Sequence, residues 1–233
     1  MTPPRQLTVA VSTLVAIAFG AGVAAADPII VNGNFSLGSS GFTSGYTSGY
    51  TSLSSRTLSN QGLMYSDGTF TVGPDPSQVH PLWASFGDHT TGDGGMMIVN
   101  GSCAADVMVW SASVDVTPDT EYDFSAWAAS VYPWSPSSLA FSINGTLLGD
   151  PFSPSLTAGL WEQFGATWYS GTRTTAMISL VNRNTEFHGN DFALDDISLR
   201  EQPFNPVPDG GTTWMLLGGA LVGLGTLRRK LGV

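Results

Sequence analysis

The sequence predicts an all-β fold, a two-sheet antiparallel β-sandwich, set between an N-terminal signal helix and a C-terminal transmembrane helix. Three observations carry that expectation. Between Asp27 and Arg200 no segment keeps a 3.6-residue apolar period, whereas apolar and polar residues alternate in short runs punctuated by turns. The 233 residues include 28 glycines and 14 prolines, with abundant serine and threonine, which disfavours a helical bundle. Both ends carry apolar stretches of their own, separate from the alternating middle.

The elements follow in chain order. Arg5 precedes a lysine-free apolar run over 7–23, which closes with Ala24-Ala25-Ala26 before Asp27-Pro28. A basic start, an apolar run and a small-residue exit describe a secretory signal peptide, residues 1–26, cut after Ala26. An uncleaved anchor is the alternative. The sandwich domain is expected over 27–200, with a first strand at 29–35. In the clearest strand Met108, Trp110, Ala112, Val114 and Val116 share one face, alternating with Val109, Ser111, Ser113 and Asp115. Thr117-Pro118-Asp119-Thr120 is a turn with proline in its second position. Tyr122, Phe124, Ala126 and Ala128 then alternate with Asp123, Ser125 and Trp127. Further strands are expected at 138–143, 161–169, 174–181 and 191–199. Asn144-Gly145 fits a two-residue hairpin leading into Thr146-Leu147-Leu148.

About 175 residues suffice to bury a core without disulfides. Cys103 is the single cysteine, expected as a buried or partly buried free thiol. The tandem Thr43-Ser44-Gly45-Tyr46 and Thr47-Ser48-Gly49-Tyr50 is too short for a solenoid and predicts an irregular loop beside a strand edge. Charge excludes one class of partner. Residues 27–204 hold four basic residues (Arg56, Arg173, Arg183, Arg200) against 17 acidic ones, a net charge of −13. Such a surface cannot neutralise phosphates, so nucleic acid is excluded.

After a proline-rich linker over 201–206 come Val207-Pro208-Asp209-Gly210-Gly211, an uncharged run over 212–227 and the cluster Arg228-Arg229-Lys230. Sixteen helical residues span ~24 Å, short of a ~30 Å hydrocarbon core, and snorkelling arginines cover the deficit. The basic cluster places the preceding chain outside the cytoplasm. Motif, span and cluster together resemble the PEP-CTERM class of bacterial sorting signals, in its VPDSG-type variant. That resemblance implies processing near 207–211 by exosortase, a membrane transpeptidase, and a mature protein released or moved to the cell surface, often alongside exopolysaccharide. An ordinary single-pass anchor is the alternative.

A second resemblance spans the domain. Val31-Asn32-Gly33-Asn34-Phe35, the loop Gly87 to Met97, Phe141-Ser142-Ile143-Asn144-Gly145, Trp161-Glu162-Gln163-Phe164 and Leu194-Asp195-Asp196-Ile197-Ser198-Leu199 occur in an order similar to galactose-binding-like jelly rolls. Such domains are found in carbohydrate-binding modules and cell-surface proteins. The resemblance implies that first and last strands lie together and hold a structural calcium ion, here through Asn34, Asp191 and Asp195. Ser36 stands where those domains usually carry an acidic residue.

Asp195 and Asp196, adjacent on a strand, are expected to leave opposite faces, with Asp195 on the core side beside Ile197 and Leu199. A carboxylate there needs a metal or hydrogen bonds. Asp88 and Asp93 in the glycine-rich loop read as a solvated turn. His80, His89 and His188 are scattered, without zinc spacing. No nucleophile elbow or phosphate-binding loop occurs. Glu121, Glu162 and Glu186 are not paired by the pattern, so hydrolysis, which needs two carboxylates across a cleft, is unsupported. Trp110, Phe124, Phe164 and Trp168 are assigned to the core. Trp127, Tyr132 and Trp134 lie among serines and prolines, where flat rings stack on sugars. The expectation is a non-catalytic exported surface or matrix protein, initially anchored by its C-terminal helix and binding polysaccharide with calcium support. The alternative is a glycan-active hydrolase.

Overall fold

The computed structural model describes residues 28–48 and 63–202. The expected signal peptide, the sorting motif, the 212–227 span and the basic cluster lie outside the described residues. Among those residues, no helix is long and apolar enough to cross a membrane. Ten strands are described: β1 (Thr47–Ser48), β2 (Thr69–Gly73), β3 (Met96–Asn100), β4 (Val107–Asp115), β5 (Glu121–Ser130), β6 (Leu139–Ile143), β7 (Thr146–Phe152), β8 (Glu162–Tyr169), β9 (Thr175–Asn182) and β10 (Phe192–Glu201). They make a two-sheet sandwich. One sheet has the order β1-β2-β3-β10-β5-β8 and the other β4-β9-β6-β7. Every pairing is antiparallel except that of β1 with β2.

The alternation read from the sequence sets the inner faces. Tyr122, Phe124, Ala126 and Ala128 of β5 are fully buried, as are Ile178 and Leu180 of β9. Phe124 meets Phe141 of the facing sheet at a centroid distance of 4.0 Å, and Phe164 stacks on Phe141 and Phe152 at 4.8 Å. Losing one such ring leaves a cavity costing about 3–5 kcal/mol. Trp110 is fully buried, and Phe164 and Trp168 pack against the same core. Asn144 and Gly145 take φ of 52° and 80°, the left-handed pair that a two-residue hairpin between β6 and β7 requires.

A second core lies on the outer side of the six-stranded sheet. Met64, Val79 and Trp83, from the segment that precedes β3, cover Met96, Ile98, Val131 and Ala193. All five residues of β3 are therefore buried, because both of its faces are roofed. Such a strand does not alternate, which is why 96–100 was not legible as one. β2 also lies outside the expected set.

Four expectations need correction. Residues 31–41 form turns rather than a strand. Asn32 (φ 60°) donates from Nδ2 to Gly38 and Ser40 carbonyls and accepts at Oδ1 from Leu37 N–H, curling the chain. The opening and closing motifs nevertheless meet: Ile29 N–H donates to Leu199 O, and Ile197 N–H to Gly33 O, both at 2.9 Å. A Cβ on Gly33 would lie 1.9 Å from Ile197 O, so only glycine permits the approach. In β4 a bulge between Met108 and Trp110 turns both Val109 and Trp110 inward. β10 continues through Glu201, paired with Tyr122, where a linker was expected. Cys103 is exposed in the loop between β3 and β4 rather than buried.

Candidate functional site

The loops at the end of the sandwich where β10 begins enclose a cleft of about 430 Å³. Tyr132 and Trp134 come from the β5–β6 loop, Phe187 and His188 from the β9–β10 loop, and Tyr65, His80 and Trp83 from the segment that roofs β3. Three of these rings are largely open: Trp134 is 65% exposed, Phe187 66% and Tyr65 51%. His80 stacks on Trp83 at 4.7 Å and meets the edge of Tyr65 at 5.0 Å.

A buried amide network fixes the loops. Asn182 Nδ2 donates to Asn190 Oδ1 at 2.5 Å, while Asn182 Oδ1 accepts from Ser138 and Asn184 N–H groups. Asn190 Nδ2 donates to the carbonyls of Ser102 and Asn184. Asn184 Nδ2 donates to the carbonyls of Ser135 and Pro136. Gly189 (φ 87°) seals the arrangement, since a Cβ there would lie 2.0 Å from Trp134 O.

The polar groups of the cleft are acidic. Asp191 accepts from Trp83 Nε1 at 3.2 Å and from Gly101 N–H at 3.1 Å. Burial pushes its carboxyl up to about 7, against the opposing pull of those two hydrogen bonds. Asp67 accepts from the Cys103 thiol at 2.9 Å, and that bond raises the thiol above its ordinary value. Asp67 and Asp191 thus line one cleft between aromatic walls.

Trp127 lies elsewhere, at an open groove of about 1110 Å³ over the outer faces of β5, β8 and the second half of β10. One face of its indole is covered by His89, stacked at 3.8 Å and 17°. The sugar-binding trio is therefore split: Tyr132 and Trp134 share the cleft, and Trp127 does not.

The aspartates also depart from the expected geometry. Asp196 takes φ of 47° within a register shift between Asp195 and Ser198. This bulge reverses the parity of β10, so Asp195 is buried beneath the 87–95 loop instead of facing the main core with Ile197 and Leu199. Asp195 Oδ2 accepts from His89 N–H (2.8 Å), Thr90 N–H (3.1 Å) and Thr90 Oγ1 (3.2 Å). Asp196 accepts from the same Thr90 hydroxyl (2.8 Å) and from His89 Nδ1 (2.7 Å). Both carboxylates thus reach the same loop, which strand parity excluded. Burial raises Asp195 to about 6. Asp88 is buried too, held below its ordinary value by bonds from Thr91 and Gly94 N–H groups that outweigh its desolvation; it anchors the loop rather than lying in a solvated turn.

Asn34, Asp191 and Asp195 do not converge. Asp191 and Asp195 are four residues apart along one chain direction, ~13 Å in extended geometry, and each is satisfied by different N–H donors. Asn34 Oδ1 accepts from its neighbour Ser36. No group of three or more His, Cys, Asp or Glu side chains able to hold a metal occurs among the described residues. Sequence reasoning missed Tyr65, Asp67, His80, Trp83, Phe187 and His188 as partners of Tyr132 and Trp134. Phe187, an aromatic beside His188-Gly189 between two strands, carried a usable signal; Trp83 carried none.

Residues 206–231 match the VPDSG-CTERM motif, so the chain carries this sorting motif at its C-terminus. No curated protein matches the chain. Among solved structures it is similar to the tandem of family 22 carbohydrate-binding modules from Paenibacillus barcinonensis Xyn10C, at 15% identity and a TM-score of 0.46, covering 82% of this chain and half of the tandem. A family 16 carbohydrate-binding module is similar at 13% identity and a TM-score of 0.40, over 73% of this chain and 98% of the module. A cyclase from Fischerella sp. is similar at 12% identity and a TM-score of 0.46, over 79% and 91% of the two chains. Likenesses this distant carry no information about what the chain binds.

Proposed function

We propose that this is an exported surface or matrix protein, processed by exosortase near Val207–Gly211, that binds polysaccharide without cleaving it. The observation that carries the binding reading is the polar cleft flanked by the open rings of Trp134 and Phe187. Flat apolar faces take the C–H face of a sugar ring, while the polar floor takes hydroxyls. The cleft sits at the start of β10 and the tether leaves from its end, where Gln202 N–H donates to Glu121 O. Ten strand residues separate them by ~30 Å, so a chain held by its tail presents the cleft away from its attachment. In this reading the signal peptide, domain and tail keep the limits 1–26, 27–200 and 207–233, with the linker beginning after β10.

A glycan array probed with the full-length chain in detergent tests the binding. Wild type is expected to retain a glycan that Trp134→Ala releases. Absence of binding by folded wild-type protein would defeat the reading. One observation favours hydrolysis as a second reading: Asp67 and Asp191 share the cleft, and Asp191 is held protonated up to about pH 7, as a general acid would be. Release of new reducing ends by wild type, abolished in Asp191→Asn, would establish it; intact oligosaccharide after long incubation would leave binding alone.

A further inference from the structure

The charge of the cleft narrows the class of glycan, an inference that rests on the binding reading above. Asp67 and Asp191 are among its lining residues, and no lysine or arginine is. Glu186, beside Phe187, lies close enough to act electrostatically on the Cys103 thiol that donates to Asp67. The described residues contain three arginines and no lysine. Arg183, which follows β9 into the cleft-forming loop, is paired with Asp106 at 3.0 Å. The cleft therefore holds carboxylates that no protein cation balances.

We propose that the polymer bound here is a cationic amino sugar, a hexosamine chain with free amines, stacked on Trp134 or Phe187 with an ammonium paired to Asp67. Three physical arguments support that class. A domain with a net charge of −13 repels uronic-acid and sulfated polymers before they dock. A carboxylate that receives an ammonium makes a charge-assisted hydrogen bond, roughly twice as strong as the neutral bond a hydroxyl offers. The exposed aromatic faces attract a cation as well as sugar C–H groups.

Calorimetric titration of the full-length chain in detergent tests this, with four oligomers of matched length: glucosamine, N-acetylglucosamine, uronate and lysine. The glucosamine oligomer is held below the pKa of its amines. It is expected to bind about tenfold more tightly than its N-acetylated counterpart, the worth of one charged hydrogen bond, and to weaken as salt is added. Asp67→Asn keeps an acceptor for the Cys103 thiol and is expected to erase that preference while neutral-sugar binding persists. Glu186→Gln, in an exposed loop, is a second variant expected to reduce it. Equal or tighter binding of the N-acetylated or uronate oligomer overturns the amino-sugar assignment and leaves the glycan site standing. Lysine oligomers binding as tightly, with the same dependence on Asp67, overturn it in favour of a basic peptide. Binding to none of the sugars defeats the glycan site itself.

Discussion

Asp191 provides the sharpest test of how the cleft is built. Its carboxyl moves from 3.8 to about 7 because burial outweighs its hydrogen bonds to Gly101 and Trp83. Between those values the folded protein holds a proton that the unfolded chain has released. Stability therefore falls as pH rises, by ~1.4 kcal/mol per unit for this one group. Integrated over the window the loss is ~4 kcal/mol, complete above about pH 7. Asparagine has the same shape, does not titrate, and can accept only one of the two N–H bonds, costing about 1–3 kcal/mol. Other groups titrate nearby: Asp195, raised to about 6 by burial, slopes the same way, and His80, lowered by burial, slopes the opposite way. Subtracting variant from wild type removes both. Urea unfolding of Asp191→Asn and wild type should give a difference that grows in the variant's favour from about pH 4 to 7, by ~4 kcal/mol in total, and is flat above. The variant is the less stable protein at the acid end and the more stable at the alkaline end. A difference constant across that range would refute the burial argument, and with it the role of Trp83 and the loops in closing the cleft floor.

Three further outcomes follow from the geometry. Gly189→Ala forces a Cβ to 2.0 Å from Trp134 O at a backbone φ of 87°, so unfolding should shift by about 2 kcal/mol or more, with glycan binding lost. Asp195→Ala removes the acceptor shared by His89 N–H, Thr90 N–H and Thr90 Oγ1; hydrogen exchange at His89 and Thr90 should accelerate while β9 stays protected, at a stability cost of about 2–3 kcal/mol near neutral pH. Since Asn34, Asp191 and Asp195 do not converge, a chelator should leave the melting temperature of the domain within about 1 °C; a drop of several degrees would restore the calcium site.

Much of the fold was legible because half-buried antiparallel strands write their burial into the chain with a period of two. β5 is the clearest case, with Tyr122, Phe124, Ala126 and Ala128 inward and Asp123, Ser125 and Trp127 outward. Asn144-Gly145 was legible for the same local reason, since few residue pairs tolerate two positive φ values in succession. β3 was not, because a strand covered on both faces loses its alternation. The aspartate pair failed for another reason. Parity arguments assume an unbroken ladder, and the bulge at Asp196 moves one residue out of register without leaving an unmistakable local mark.

The division between sequence and structure follows the range of the forces involved. The alternating strands, the acidic character of the domain and the sorting tail are properties of neighbouring residues or of totals, and each is complete in the chain before it folds. The cleft is not. It needs Tyr65, Trp83, Tyr132, Trp134, Phe187 and Asp191, drawn from positions more than a hundred residues apart. They are held together by Asn182, Asn184 and Asn190, whose amides have partners only once β9, the β5–β6 loop and the start of β10 converge. A hydrogen bond of that kind has no counterpart in sequence spacing, so only the packed sandwich decides which rings share a site.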